Sequence, residues 1–100
     1  MPQAISASDF AKRLGNGEMI NLLDVREPIE FLTYNAGGQN IPLSKLPDNI
    51  HQLSYNKTDE IVVICKIGMR SETACEILQK NGYENARNLT GGLIALQKLK

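Results

Sequence analysis

The chain has few of the residues that mark metal sites and disulfide-stapled folds. It contains two cysteines, Cys65 and Cys75, one histidine, His51, and no CxxC pair. Two cysteines cannot form a disulfide framework, and a lone histidine without partners cannot anchor a structural metal. We therefore expect a protein with no metal and no cofactor. A Cys65–Cys75 disulfide is disfavoured in a reducing cytoplasm.

The chain also has no excess of either charge and no long apolar run. The formal net charge is zero, which argues against a general nucleic-acid or membrane binder because such proteins carry a basic excess. The longest apolar run, residues 61–65, is far too short to span a bilayer. No basic segment followed by an apolar run opens the chain, so no secretory signal is predicted. We expect a cytoplasmic protein.

The composition is that of an ordinary globular protein. Apolar residues make up 42% of the 100 residues and charged residues 22%. A chain of this length can bury one core, so we predict a single domain over residues 1–100.

The hydrophobic pattern predicts strands and helices in alternation. The predicted strands are residues 19–24, 61–65 and 86–89, with a short extended piece at 40–43; the predicted helices are residues 6–15, 28–31, 46–53, 71–80 and 93–99. The unbroken β-branched run at 61–64 is typical of a strand covered on both faces. The fold class is therefore predicted as α/β, a small parallel sheet with helices on both faces. Ligands bind such sheets beyond the carboxyl ends of the strands, where Cys65 lies.

Cys65 begins a short loop that leads from the buried strand to a helix N-terminus. The first N–H groups of a helix lack internal partners and carry partial positive charge, so a thiolate placed there is stabilised. Gly68 permits backbone angles that turn successive N–H groups inward as an anion-binding nest. Lys66 and Arg70 add positive charge. The competing interpretation is plain packing, which is the favoured one for Cys75 inside the following helix.

The spacing between Cys65 and Arg70 distinguishes two anion chemistries. Four residues separate them, and the next position is Ser71. A cysteine phosphatase loop has one residue more, which lets it wrap a phosphate. The shorter loop favours a smaller anion such as the outer sulfur of a persulfide. A phosphatase or an arsenate reductase is therefore the less favoured alternative.

Motifs along nearly the whole chain resemble the rhodanese family of sulfurtransferases in its single-domain form. They are residues 23–28 with 30–31, residues 40–43, the strand and loop from 61 to 71, residues 82–83, and residues 88–92. Two departures stand out. Residues 35–39 replace a His-Ile-Pro-Gly-Ala stretch that many members carry, and Ile67 and Met69 are apolar at loop positions that are often small or polar.

The resemblance implies a two-step covalent mechanism. Cys65 would attack the outer sulfur of a donor such as thiosulfate and become a persulfide, and an acceptor such as cyanide or a thiol would then remove that sulfur. The backbone N–H groups of the loop would hold the persulfide; these loop residues are Lys66, Ile67, Gly68, Met69 and Arg70.

Three further residues are assigned supporting roles by the same resemblance, namely Asp24, Arg26 and Ser71. Asp24 is expected to pair with a cationic side chain near the loop, and Arg26 to order the strand end, while a purely structural ion pair is the open alternative. A second functional hypothesis is a sulfur-relay or interaction module whose sulfur donor or acceptor is another protein.

Overall fold

The computed structural model describes residues 3–99, in which strands and helices alternate. The strands are β1 Gln3–Ile5, β2 Leu22–Asp24, β3 Gln39–Asn40, β4 Ile61–Ile64 and β5 Ala86–Leu89. The helices are α1 Ala7–Gly15, α2 Pro28–Thr33, α3 Leu46–Asn49, α4 Met69–Lys80 and α5 Gly92–Gln97. Two 3₁₀ turns flank α3, at Leu43–Lys45 and Ile50–Gln52. The ends of the predicted 1–100 domain (Met1, Pro2 and Lys100) lie outside the described residues.

The strands form one sheet in the order β1-β5-β4-β2-β3, and every pairing is parallel. The predicted α/β class is therefore confirmed. From the adjacent strands β4 and β2 the chain leaves in opposite directions, toward β5 and toward β3. The carboxyl ends of these two strands thus form the switch point at which open parallel sheets bind ligands.

Side chains of β4 alternate between two buried clusters, one on each face of the sheet. Val62 and Ile64 pack with Phe10 on one face. Val63 and Cys65 pack with residues of α3 and α4 on the other. Because successive side chains of a strand point to opposite faces, the run that predicted a doubly covered strand also decides that Cys65 faces α4.

Local signals explain most helix starts. The Ser6 hydroxyl accepts a hydrogen bond from the Asp9 N–H at 3.0 Å and so caps α1. Pro28 occupies the first turn of α2, where its missing N–H costs nothing. Gly68 caps α4 in the left-handed region, with φ +98°.

Several predicted boundaries are wrong for identifiable reasons. Strand β1 is absent from the prediction because only Ile5 of this three-residue edge strand is buried. Strand β2 begins at Leu22 instead of residue 19, since Met19 is 98% exposed. Helices α1, α2, α4 and α5 and strand β4 differ from the prediction by one or two residues at an end. The extended piece predicted at 40–43 is the two-residue strand Gln39–Asn40, and the predicted helix 46–53 is divided into α3 and a 3₁₀ turn.

None of the helices between residues 3 and 99 combines the length and apolarity needed to cross a bilayer.

Glu60 ties three elements together at the amino end of β4. Its carboxylate accepts hydrogen bonds from Arg13 of α1 at 2.6 and 3.0 Å and from Arg87 of β5 at 3.0 Å. The Arg13 guanidinium, helped by Arg87, holds the pKa of Glu60 below its usual range. The ionised carboxylate therefore stabilises the folded state.

We expect Glu60→Gln to lower the free energy of unfolding by about 1–2 kcal/mol at neutral pH. The pKa of Glu60 is lower in the folded state than its unfolded value of about 4.3, so its carboxylate stabilises the fold at pH values above about 4.3. That stabilisation is lost as the pH falls through the folded-state pKa. The difference in unfolding free energy between Glu60→Gln and the wild type should therefore become smaller as the pH is lowered. Urea unfolding at pH values near 7 and 3 measures it, with Glu84→Gln, an exposed carboxylate outside the described ion pairs, as control. A gap that widens in acid would contradict the assignment.

Candidate active site

Cys65 lies directly after β4, at the switch point between β4 and β2. Its side chain is fully buried. Asp24, the last residue of β2, pairs with Ile64 in the parallel register, so the two strands end side by side. The sequence-predicted residues Cys65 and Asp24 are thus on neighbouring strand ends.

The loop after Cys65 folds back so that backbone donors point at its sulfur. The Gly68 N–H donates to Cys65 Sγ at 3.0 Å, and the Ser71 N–H donates at 3.3 Å. The Ser71 hydroxyl lies 3.2 Å from the same sulfur. Two N–H groups at the start of α4 therefore converge on one atom, an arrangement that stabilises negative charge on sulfur. Ser71, assigned only a supporting role from sequence, is a direct neighbour of the sulfur.

Asn88 of β5 supports this arrangement through hydrogen bonds to Ser71 and Gly68. Its amide oxygen accepts a hydrogen bond from the Ser71 hydroxyl, and its amide nitrogen donates to the Gly68 carbonyl at 3.2 Å. Both Asn88 and Ser71 are buried. Because a hydroxyl has one proton, Ser71 can accept from a Cys65 thiol while donating to Asn88, or donate to a sulfur anion instead. The network therefore serves both charge states of the sulfur.

The amino end of α5 supports the loop from the other side. The Leu93 N–H donates to the Cys65 carbonyl at 2.9 Å, and the Ile94 N–H donates to the Lys66 carbonyl at 3.1 Å. This approach requires Gly92, whose φ is +63° and whose missing Cβ would lie 2.5 Å from the Cys65 carbonyl oxygen. The loop backbone is therefore fixed by two helices and one strand.

Arg70 does not face the sulfur as an unpaired cation. Its guanidinium donates to both carboxylate oxygens of Glu30 in α2, at 2.8 and 3.1 Å. This pairing, with a further hydrogen bond from the Glu27 N–H, lowers the pKa of Glu30 to about 2, and Glu30 in turn raises the pKa of Arg70. The positive charge predicted for the loop at Arg70 is thus neutralised, while Lys66 remains exposed.

Asp24 and Arg26 form a buried ion pair with each other. Arg26 Nη2 lies 2.8 Å and Nε 3.0 Å from the Asp24 carboxylate, and Nη2 also donates to the Tyr34 carbonyl at 2.6 Å. Asp24 therefore pairs with Arg26 and not with the loop cations Lys66 or Arg70. The contacts agree with the structural ion pair that the sequence left open, and Arg26 orders the chain after α2.

A cavity of about 350 Å³ opens beside the loop, between α2 and α5. Arg26, Ile29 and Glu30 line one side of it, and Lys66 and Ile94 the other. Outside this cavity the loop exposes apolar side chains, with Ile67 53% and Met69 71% exposed, and both line a second pocket together with Asn88 and Gly91. The surroundings of the sulfur are thus partly charged at the cavity and partly apolar at the surface.

Cys75 is separate from this arrangement. It is buried in the core beneath α4, and burial raises the pKa of its thiol to about 12. At neutral pH it is a protonated, inert side chain, as its packing role predicts. Within residues 3–99, no three His, Cys, Asp or Glu side chains come together to hold a metal ion.

Two residues of the arrangement carry no functional assignment from sequence. Asn88 lies in a motif that contributes to the family resemblance, but its sequence neighbours give it no role; in the structure it is a buried polar residue of β5. Glu30 lies 40 residues from Arg70, so only tertiary structure brings the two together.

Comparison with known proteins gives consistent matches. The family profile of the rhodanese-like domain matches residues 6–99. YrkF of Bacillus subtilis, a candidate sulfur carrier protein, is 34% identical over 90 residues, covering 89% of this chain and 48% of YrkF. A sulfurtransferase of Allochromatium vinosum is 30% identical over 96 residues, covering 95% of this chain and 88% of that protein. A rhodanese-like domain protein of Staphylococcus aureus superimposes with a TM-score of 0.82 at 29% identity, covering 94% and 90% of the two chains. The chain thus spans about half the length of YrkF.

Proposed function

The chain belongs to the rhodanese-like domain family, and from this premise we propose that it moves a sulfane sulfur from thiosulfate or a persulfide donor to a thiophilic acceptor through a persulfide on Cys65. One observation carries the proposal: two backbone N–H groups, of Gly68 and Ser71, converge on Cys65 Sγ. Oriented donors of this kind stabilise the thiolate charge on Sγ that the attack on a sulfur donor requires.

The chemistry of the first step balances without a cofactor. The Cys65 thiolate attacks the outer sulfur of the donor, an Sγ–S bond forms, and the donor's own sulfur–sulfur bond breaks. Thiosulfate leaves as sulfite and an alkyl persulfide leaves as a thiolate, each taking the bonding electron pair. A thiophile such as cyanide or a thiol then takes the outer sulfur and returns Cys65 to a thiolate. The sulfur that the acceptor takes lies one bond beyond the buried Sγ of Cys65.

The contacts of Arg70 speak against the phosphatase alternative. An oxyanion such as phosphate is best held by a guanidinium that offers two donors to it. Here both terminal nitrogens of Arg70 already donate to Glu30, and the loop is one residue shorter than that of a cysteine phosphatase. The site therefore offers a phosphate less of the bidentate guanidinium contact that would hold it.

A relay of sulfur between proteins is a second candidate, and the exposed apolar side chains of the loop favour it. Ile67 and Met69 project from the loop that holds the sulfur, where they can contact the surface of a protein donor or acceptor. The similarity to a candidate sulfur carrier protein agrees with this role. The persulfide on Cys65 is common to both candidates, and only the donor and acceptor differ.

We expect the reduced protein to become one sulfur atom heavier after incubation with thiosulfate or with 2-hydroxyethyl persulfide. Intact-mass spectrometry under non-reducing conditions measures the gain, dithiothreitol should remove it, and peptide mapping should place it on Cys65. Thiocyanate formed on adding cyanide then measures turnover. A loaded Cys65 that yields little thiocyanate but passes its sulfur to a protein thiol would favour the relay. No added sulfur from either donor, or sulfur found on Cys75, would contradict the proposal.

A further inference from the structure

The entrance to the loop holds three cations, and two of them are neutralised. Arg70 is paired with Glu30, and Arg26 is paired with Asp24. Lys66, which lines the cavity beside Glu30, forms no ion pair among residues 3–99. These three cations and their partners together therefore contribute about one net positive charge at this cavity. This is one fewer than a loop with an unpaired Arg70 would present.

From this charge balance we infer that Glu30 is a specificity-determining residue, which acts through Arg70 to disfavour the thiosulfate dianion and to favour persulfide donors that carry a single negative charge. The inference rests on the proposed function and narrows its donor class. Glu30 is in this sense a positioning residue, since it lies on Arg70 and not on the sulfur.

The charges of the two donors explain why one residue can separate them. Thiosulfate approaches with two negative charges and leaves as a sulfite dianion, whereas an alkyl persulfide approaches with one and leaves as a thiolate. A fixed negative charge beside the cavity repels the dianion about twice as strongly as the monoanion. The bidentate geometry keeps that charge in place, because a carboxylate and a guanidinium joined by two hydrogen bonds hold one orientation.

The pair is also built to persist over the working pH range. Arg70 lowers the pKa of Glu30 to about 2, so Glu30 stays ionised at neutral and mildly acidic pH. The charge that Glu30 contributes is therefore constant and not switched by mild acid.

We expect Glu30→Gln to raise the ratio of kcat/KM for thiosulfate to kcat/KM for 2-hydroxyethyl persulfide by about fivefold. Glutamine retains an oxygen that can accept the Glu27 N–H, so the start of α2 stays capped. The converse variant, Arg70→Gln, leaves Glu30 unpaired and should lower the same ratio by a similar factor. Both shifts should shrink at about 0.5 M salt, because salt screens exposed charges.

Glu72→Gln is the matched control. It removes one negative charge from an exposed position in the first turn of α4, next to the same loop, where Glu72 is in no described ion pair. We expect the ratio to change less than about twofold. Because each test is a ratio measured on one protein sample, partial unfolding of a variant cancels from it.

Four results would overturn the inference: an unchanged ratio in Glu30→Gln, shifts of the same sign in the Glu30 and Arg70 variants, shifts that salt leaves intact, or an equal shift in Glu72→Gln. The mass of the loaded wild type separates these failures from a failure of the proposed function. If the wild type takes sulfur onto Cys65 and the ratio does not move, only the role of Glu30 is wrong. If the wild type takes sulfur from neither donor, both fail.

Discussion

Cys65→Ser is expected to abolish sulfur transfer, lowering kcat/KM by about a thousandfold or more. Serine keeps the size of the side chain and its oxygen can accept the N–H groups of Gly68 and Ser71, so the loop has no reason to collapse. An alkoxide is not available at neutral pH, however, and an oxygen cannot form the persulfide. The loss is therefore chemical and not structural.

The same chain supplies the control for this experiment. Cys75→Ala removes the other thiol from a buried position in α4 that does not touch Cys65 Sγ in any described hydrogen bond. The rate of thiocyanate formation by Cys75→Ala should stay within about twofold of the wild-type rate. Its free energy of unfolding should fall by about 1 kcal/mol because of the missing sulfur atom. The assay is thiocyanate formation together with the mass of the loaded protein. Activity retained by Cys65→Ser, or lost equally in both variants, would disprove the assignment of the nucleophile.

Gly92→Ala is expected to damage the active-site loop from outside it. A Cβ at Gly92 would meet the backbone of Cys65 and Lys66, with 2.5 Å to the Cys65 carbonyl oxygen, so the loop and α5 must separate. Separation breaks the hydrogen bonds from Leu93 and Ile94 that fix the loop. We expect the free energy of unfolding to fall by about 3 kcal/mol and persulfide formation to slow by at least about tenfold.

Gly17→Ala separates this close approach from backbone strain alone. Gly17 also has a positive φ, +82°, but nothing lies within 4 Å of the position its Cβ would take. Its substitution should cost only about 1 kcal/mol and leave the rate of persulfide formation within about twofold of the wild type. Urea unfolding measures the free energy of unfolding, and the mass of protein sampled from quenched loading reactions measures the rate of persulfide formation. Equal losses in the two variants would show that the contact between α5 and the loop is unimportant.

Local sequence patterns were sufficient for the central features of this molecule. The run of β-branched residues predicts β4, and the glycine three positions after Cys65 predicts the turn that aims N–H groups at the sulfur. Both depend on residues that are neighbours in the chain, where propensity and steric preference act directly.

Local sequence patterns do not predict the features that depend on tertiary contacts. Strand β1 exists because the edge of β5 pairs with it, although its own residues are mostly exposed. The neutralisation of Arg70 by Glu30 and the support of Gly68 by Asn88 join residues 40 and 20 positions apart. A sequence shows that these charges and amides exist, and only the packing of α2 and β5 shows which groups they meet.

The parallel pairing of the first strand with the last has a consequence for folding during synthesis. Strand β1 can pair only once β5 has emerged, and closing a loop of that length costs conformational entropy before any contact repays it. The carbonyls of Cys65 and Lys66 gain their hydrogen bonds later still, when the N–H groups of α5 have been synthesised. A ribosome-bound chain that ends before Leu93 would carry the Cys65 thiol in a loop without its final supports. The nascent protein therefore passes through a stage in which the loop that positions Cys65 lacks its hydrogen bonds to α5.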